Sequence, residues 1–131
     1  MHFLQPGSTV ATSLIQAESK DKHCFFLQVH KTAFKIQAIR LENVRPFVFD
    51  NVELNKASPQ LQPDNLAQIE DFLINKIDKM LGTLPSAAKK LKDLQLPLVR
   101  LKIENTGFPV IKSKKLNDYF SNKLANPQDF L

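Results

Sequence analysis

Hydrophobic positions along the chain recur first with a period of two and later with steps of three and four, so the sequence divides into a strand-forming part and a helix-forming part. Residues 8–14 follow the Pro6-Gly7 turn signal, are rich in β-branched side chains, and predict a strand. Residues 15–22 are polar and predict a loop. Two apolar runs follow, residues 24–29 and 33–39, separated by His30-Lys31-Thr32. Phe25, Leu27 and Val29 share one face of the first run, while Phe34, Ile36 and Ala38 alternate in the second, so the pair predicts a hairpin. Residues 44–54 carry Phe47, Phe49, Val52 and Leu54. Pro46 has no N–H to donate to a ladder, which places this run at a sheet edge or divides it into two short pieces.

Two prolines within residues 55–63 mark a loop, after which the period changes. Leu66, Ile69, Leu73, Ile77 and Met80 lie on one helical face, with Asp64 or Asn65 as N-cap and Gly82 as the stop. The opposite face, with Glu70, Asp71, Lys76, Asp78 and Lys79, balances its charges and predicts a solvated surface. Residues 85–94 suit either a short helix exposing Lys89, Lys90 and Lys92 or a simple connection. Residues 97–104 alternate Val99, Leu101 and Ile103 with Arg100, Lys102 and Glu104, the pattern of a half-buried strand that joins the sheet. Asn105-Thr106-Gly107 supplies a turn, and residues 113–124 place Leu116, Tyr119, Phe120 and Leu124 at helical spacing behind Ser113 as N-cap. The expected fold is one α+β domain, a mostly antiparallel sheet packed against one long helix and a shorter C-terminal helix. The sequence holds no internal repeat and no low-complexity tract.

With 131 residues, 43% of them hydrophobic and 24% charged, the chain has the size and balance of one domain with one core. No apolar run approaches the roughly 20 residues of a membrane span, and the first residues lack the layout of a signal peptide, so a soluble, non-secreted protein without a membrane partner is expected. The single cysteine, Cys24, lies in the apolar run Cys24-Phe25-Phe26-Leu27 and is expected to be a packed thiol in a reducing compartment. The net charge of +5 is unevenly placed: residues 1–88 hold nine basic and nine acidic side chains, residues 89–131 nine basic and four acidic. Such a C-terminal third is either a solvated lysine face or a surface for a polyanion.

Catalytic chemistry is hard to place in this sequence. Two-metal phosphodiesterases need clustered Asp, His and Asn ligands around two cations. His2, His23 and His30 lie in a terminus, at a strand start and in a turn, without partners at ligand spacing. There is no nucleophile elbow, and three glycines form no phosphate-cradling loop. Neither catalytic nor metal-binding residues are therefore assigned.

The string Gln5-Pro6-Gly7-Ser8-Thr9-Val10-Ala11-Thr12-Ser13-Leu14 resembles the junction between nuclease and capping domains in the double-strand-break repair nucleases of the meiotic-recombination-eleven family. Lys22-His23, the spacing from Ile39 and Leu41 to Val44-Arg45-Pro46-Phe47, the strand Pro97-Leu98-Val99-Arg100-Leu101-Lys102, and Leu124-Ala125-Asn126-Pro127-Gln128-Asp129 are similar to family segments in the same order, most of all to eukaryotic members. Three departures stand out. The family's Pro-Gly-Glu-Ala turn is Gln16-Ala17-Glu18-Ser19 here, its acidic-aromatic-Ser-Gly-Gly turn is Glu104-Asn105-Thr106-Gly107-Phe108, and no counterpart is present of the helices that grip the ATPase coiled coil.

The resemblance implies that residues 1–7 close a nuclease domain and residues 8–131 form a DNA-binding capping domain beside its cleft. It also implies a nuclear repair complex, MRN or MRX, of nuclease, SMC-like ATPase and adaptor, cutting DNA with manganese held upstream of the junction. This chain then has no cofactor of its own and does not cut alone. A capping domain would hold duplex DNA by phosphate contacts, which neutralise charge without reading sequence. Arg100, Lys102, Lys112, Lys114 and Lys115 are the chosen contacts, joined by Arg45 and Lys22 from family-like motifs. The rival expectation is an interaction module that docks the ATPase subunit without touching DNA. Phe47, Phe49, Phe108 and Phe120 alternate with other apolar residues and are expected to pack in the core rather than stack on bases.

Overall fold

The computed structural model describes residues 2–84, 95–112 and 114–131. The expectation for residues 85–94 and the Ser113 cap lie outside the described residues. Strands β1 (His23–His30) and β2 (Ala33–Arg40) form the expected hairpin, antiparallel from His23 opposite Arg40 to His30 opposite Ala33. Lys31 takes a φ of 54°, the left-handed conformation that a two-residue hairpin turn asks of its first position.

Strand β3 (Phe47–Glu53) begins immediately after Pro46, where the missing N–H breaks no ladder bond. The Pro46 carbonyl instead accepts from Leu98 N–H at 2.8 Å. That contact leads into β4 (Leu98–Glu104), which runs parallel to β3 with Phe47 opposite Leu98 and Glu53 opposite Glu104. Parallel neighbours require a long crossover, and helix α1 (Leu66–Gly82) lies within it.

Asn65 caps α1, its side chain accepting from Gln68 N–H at 3.0 Å. Gly82 is the last helical residue but does not end the helix by a left-handed turn. Thr83 does so in right-handed geometry, with its hydroxyl donating to the Met80 carbonyl at 2.6 Å. Ile69, Leu73, Ile77 and Met80, the apolar face read from the sequence, are buried together with Val99 and Leu101 of β4. Helix α2 (Lys114–Phe120) adds Leu116 and Phe120 to this core, and Leu124 and Phe130 close it. An ion pair of 2.6 Å between Lys76 and Asp50 fixes α1 to β3.

The α+β class holds, with one antiparallel and one parallel strand pair. Two expectations are corrected. Residues 8–14 form no strand: no partner strand lies alongside them among the described residues, and the Ser8 and Thr12 hydroxyls donate instead to Glu18 in the short 3-10 helix Gln16–Ser19. Cys24 is exposed, because the hairpin that carries it does not pack into the core.

The free edge of β4 is covered from the C-terminal side. Leu101 N–H donates to the Phe130 carbonyl at 2.7 Å. Asn126 serves Val99 twice, accepting from its N–H at 3.1 Å and donating to its carbonyl at 2.8 Å.

Candidate nucleic-acid interface

Successive residues of a strand point to opposite faces, so the burial of Val99 and Leu101 turns Arg100 and Lys102 to the face of the β3–β4 pair away from the core. The register sets Arg100 beside Phe49 and Lys102 beside Asn51. Arg100 lies against the C-terminal segment, Nη1 donating to the Asp129 carbonyl at 3.2 Å. Lys112 and Lys114 are exposed and line an open cavity of about 430 Å³ with Asn117, Gln128 and Phe130. Gln128 and Asp129 are neighbours, so one short segment runs from Arg100 to the cavity of the two lysines. Among the described residues, none of Arg100, Lys102, Lys112 and Lys114 forms an ion pair with a carboxylate.

Lys115 is differently placed. Its ammonium pairs with Glu70 at 3.3 Å and Asp71 at 3.4 Å, joining α2 to α1. Hydrogen bonds donated to Glu70 first and Asp71 second hold its pKa above the ordinary lysine value. Because the folded value is the higher one, this pairing contributes fully below the ordinary lysine pKa and is lost as pH rises through the raised value.

Lys22 and Arg45 form a separate group. Both line a cavity of about 360 Å³ between the N-terminal segment and the start of β3, along with Lys20 and Arg40. Lys22 is ion-paired with Glu18 and also donates to the Ser8 hydroxyl at 3.4 Å. The Lys22 hydrogen bond is the main cause of a lowered Glu18 pKa, and partial burial opposes it. Arg45 is exposed and has no carboxylate partner among the described residues.

The structure therefore brings four of the seven chosen residues to the β4 and C-terminal region, sets two at a second cavity, and engages Lys115 in a pin between helices. Sequence reasoning missed Lys123, whose ammonium sits 3.6 Å above the Tyr119 ring while the Tyr119 hydroxyl donates to Asp78 at 3.2 Å. Its i, i+4 spacing from Tyr119 was a usable signal. Gln128 had none, since its place depends on how the segment folds back. Phe120 is buried in the core and Phe108 packs against it, as expected, whereas Phe47 is buried without joining that cluster and Phe49 is half-buried on the outer face beside Arg100. No group of three or more His, Cys, Asp or Glu is placed to hold a metal ion among the described residues. Nor is any helix among them long and apolar enough to cross a membrane.

The sequence model described as "Mre11 DNA-binding presumed domain" matches residues 34–131, three quarters of the chain. The chain belongs to the Mre11 family. Its resemblance to Mre11 proteins extends beyond that stretch. It is 35% identical to the double-strand break repair protein MRE11 of Arabidopsis thaliana over 130 residues, covering 99% of this chain and 18% of the relative. Against the Gallus gallus MRE11 the identity is 32% over 139 residues, with 99% and 20% covered. The Caenorhabditis elegans mre-11 protein gives 31% over 144 residues, again with 99% and 20%. The chain thus spans about a fifth of the length of these Mre11 relatives.

Proposed function

We propose that this chain is a non-catalytic DNA-binding domain of a double-strand break repair nuclease, and that it clamps duplex DNA by phosphate contacts beside the cleft of a nuclease domain. The observation that carries the reading is the placement of Arg100, Lys102, Lys112 and Lys114. All four lack a neutralising carboxylate among the described residues, and three of them border one C-terminal segment. Cations without a neighbouring carboxylate keep their field for an outside anion, whereas those of Lys115 and Lys22 are offset within the fold. The family match and the names of the relatives point to the same class of ligand.

In this reading the cutting reaction belongs to the nuclease domain of the parent protein, with manganese as its metal. The described residues offer no donor set that fits such a metal, so no chemical step is assigned to them. The parent works in the nucleus in a complex with an SMC-like ATPase and an adaptor. The task of this chain is to fix the position of the duplex, and phosphate contacts do so for any sequence.

Fluorescence anisotropy with unrelated duplexes across a salt series tests the proposal. Similar affinity for every sequence is expected, with log K falling by about 0.9 per tenfold salt increase for each phosphate neutralised. Replacing Lys112→Ala with Lys114→Ala flattens that slope by roughly two such contacts, and Lys115→Ala leaves it unchanged. Absence of duplex binding at low salt overturns the reading in favour of a module that docks the ATPase.

A further inference from the structure

The cavity bordered by Lys112 and Lys114 holds two further polar side chains that the fold leaves unused. Asn117 and Gln128 line it beside the lysines, Ile111 and Phe130 form an apolar floor, and no Asp or Glu lines it among the described residues. Neither amide side chain takes part in a hydrogen bond there, whereas Asn65 caps α1 and Asn126 is bonded to β4. Both are nonetheless held in position. Asn117 follows Lys114 by three residues on α2, which sets the two side chains next to each other on the helix surface. Gln128 is exposed in a turn that is closed twice, by Asp129 N–H donating to the Asn126 carbonyl at 3.1 Å and by the Asn126 side chain donating to the Asp129 carbonyl at 3.3 Å.

This set of groups says more than its charge. A phosphate diester offers acceptors only, so ammonium groups serve it fully and a carboxamide oxygen adds nothing. An amide both donates and accepts, which is the pattern that meets the edge of a nucleobase, and Asn and Gln are the side chains that commonly do so. An apolar floor suits the face of a base. The volume of about 430 Å³ lies within the roughly 300–1,000 Å³ of pockets for small molecules, and one phosphate group would leave most of it empty. Inside a duplex the pairing edges and the stacked faces are already occupied. Only an unpaired nucleotide presents phosphate, edge and face together.

We propose that this cavity receives one unpaired nucleotide at the end of a DNA strand, with Lys112 and Lys114 on its phosphate, Asn117 and Gln128 on the edge of its base, and Ile111 and Phe130 beneath its face. The inference rests on the reading of this chain as a DNA-binding domain and adds a substrate class to it, ends with an unpaired nucleotide in preference to blunt ends. Continuity with the duplex contacts favours a nucleotide within a strand over a free one. The turn that presents Gln128 also accepts from Arg100 through the Asp129 carbonyl, so a further phosphate contact adjoins the cavity.

Fluorescence anisotropy with duplexes of one sequence tests this. The duplex is made blunt, with a single unpaired thymidine at a 5′ or a 3′ end, or with an abasic residue in place of that thymidine. One of the two overhangs is expected to bind roughly tenfold tighter than the blunt duplex, the worth of about one good contact to a base edge. Its abasic counterpart, which keeps the added phosphate and lacks the base, is expected to bind like the blunt duplex. In Asn117→Ala and in Gln128→Ala the ratio of overhang to blunt affinity is expected to fall several-fold. Gln128 is exposed, so its variant decides the matter should Asn117→Ala not fold. An advantage that the abasic overhang shares, or that survives both substitutions, overturns the proposal. Displacement of the overhanging duplex by an equal concentration of thymidine 5′-monophosphate overturns it in favour of a free nucleotide. Binding of all the duplexes without preference removes the nucleotide pocket and leaves the duplex clamp standing, whereas absence of binding to any of them removes both.

Discussion

Asn126 shows how one side chain can replace a strand. Its amide accepts from Val99 N–H and donates to the Val99 and Asp129 carbonyls, the last at 3.3 Å. It therefore satisfies the edge of β4 and bends the following residues back toward Arg100. The physical content of the Ala125-Asn126-Pro127 motif is this substitution of an amide for a neighbouring backbone. Asn126→Ala leaves an N–H and a carbonyl of a buried residue without partners, at a cost of about 1–3 kcal/mol. Urea unfolding of the variant is expected to show that loss as a lower midpoint with an unchanged slope. Asn126→Asp keeps the acceptor but removes the donor, and is expected to recover only part of it.

At the scale of elements, α1 was the most legible part of the sequence. Its apolar residues recur with helical spacing, Asn65 offers a cap, and both features depend on neighbours within a few residues. Leu73 lies at the centre of that face and is fully buried. Leu73→Ala is expected to destabilise the protein by roughly 2–5 kcal/mol in denaturant titration, the range for an aliphatic side chain removed from a packed core. The hairpin and β4 were equally readable as elements, since alternation tells which residues share a face. What alternation does not contain is the direction or identity of the partner strand. The pairing of β3 with β4 joins residues some fifty positions apart, and nothing local to either run encodes it as parallel. Residues 8–14 mark the opposite limit, where β-branched composition promised a strand but no neighbour supplies a ladder. Among the charged residues, type and region were visible and pairing was not: Lys114 and Lys115 are adjacent in sequence, yet only Lys115 meets Glu70 and Asp71 across the helix interface.

At the scale of the whole molecule, the described structure has one core and one ribbon outside it, and the core depends on the last residues of the chain. Phe130 is buried against Phe120, with ring centroids 5.5 Å apart, while its carbonyl receives Leu101 N–H. The segment is thus both a plug and a border. Removing residues 129–131 withdraws an aromatic ring whose loss costs about 3–5 kcal/mol and leaves part of the outer margin of β4, the Leu101 N–H, bare. A bare margin is adhesive, because unsatisfied N–H and C=O groups recruit any extended peptide that reaches them. The shortened protein is expected to show concentration-dependent light scattering at temperatures where the intact chain stays monodisperse. Three terminal residues would then separate a well-behaved domain from a seed for strand-to-strand aggregation.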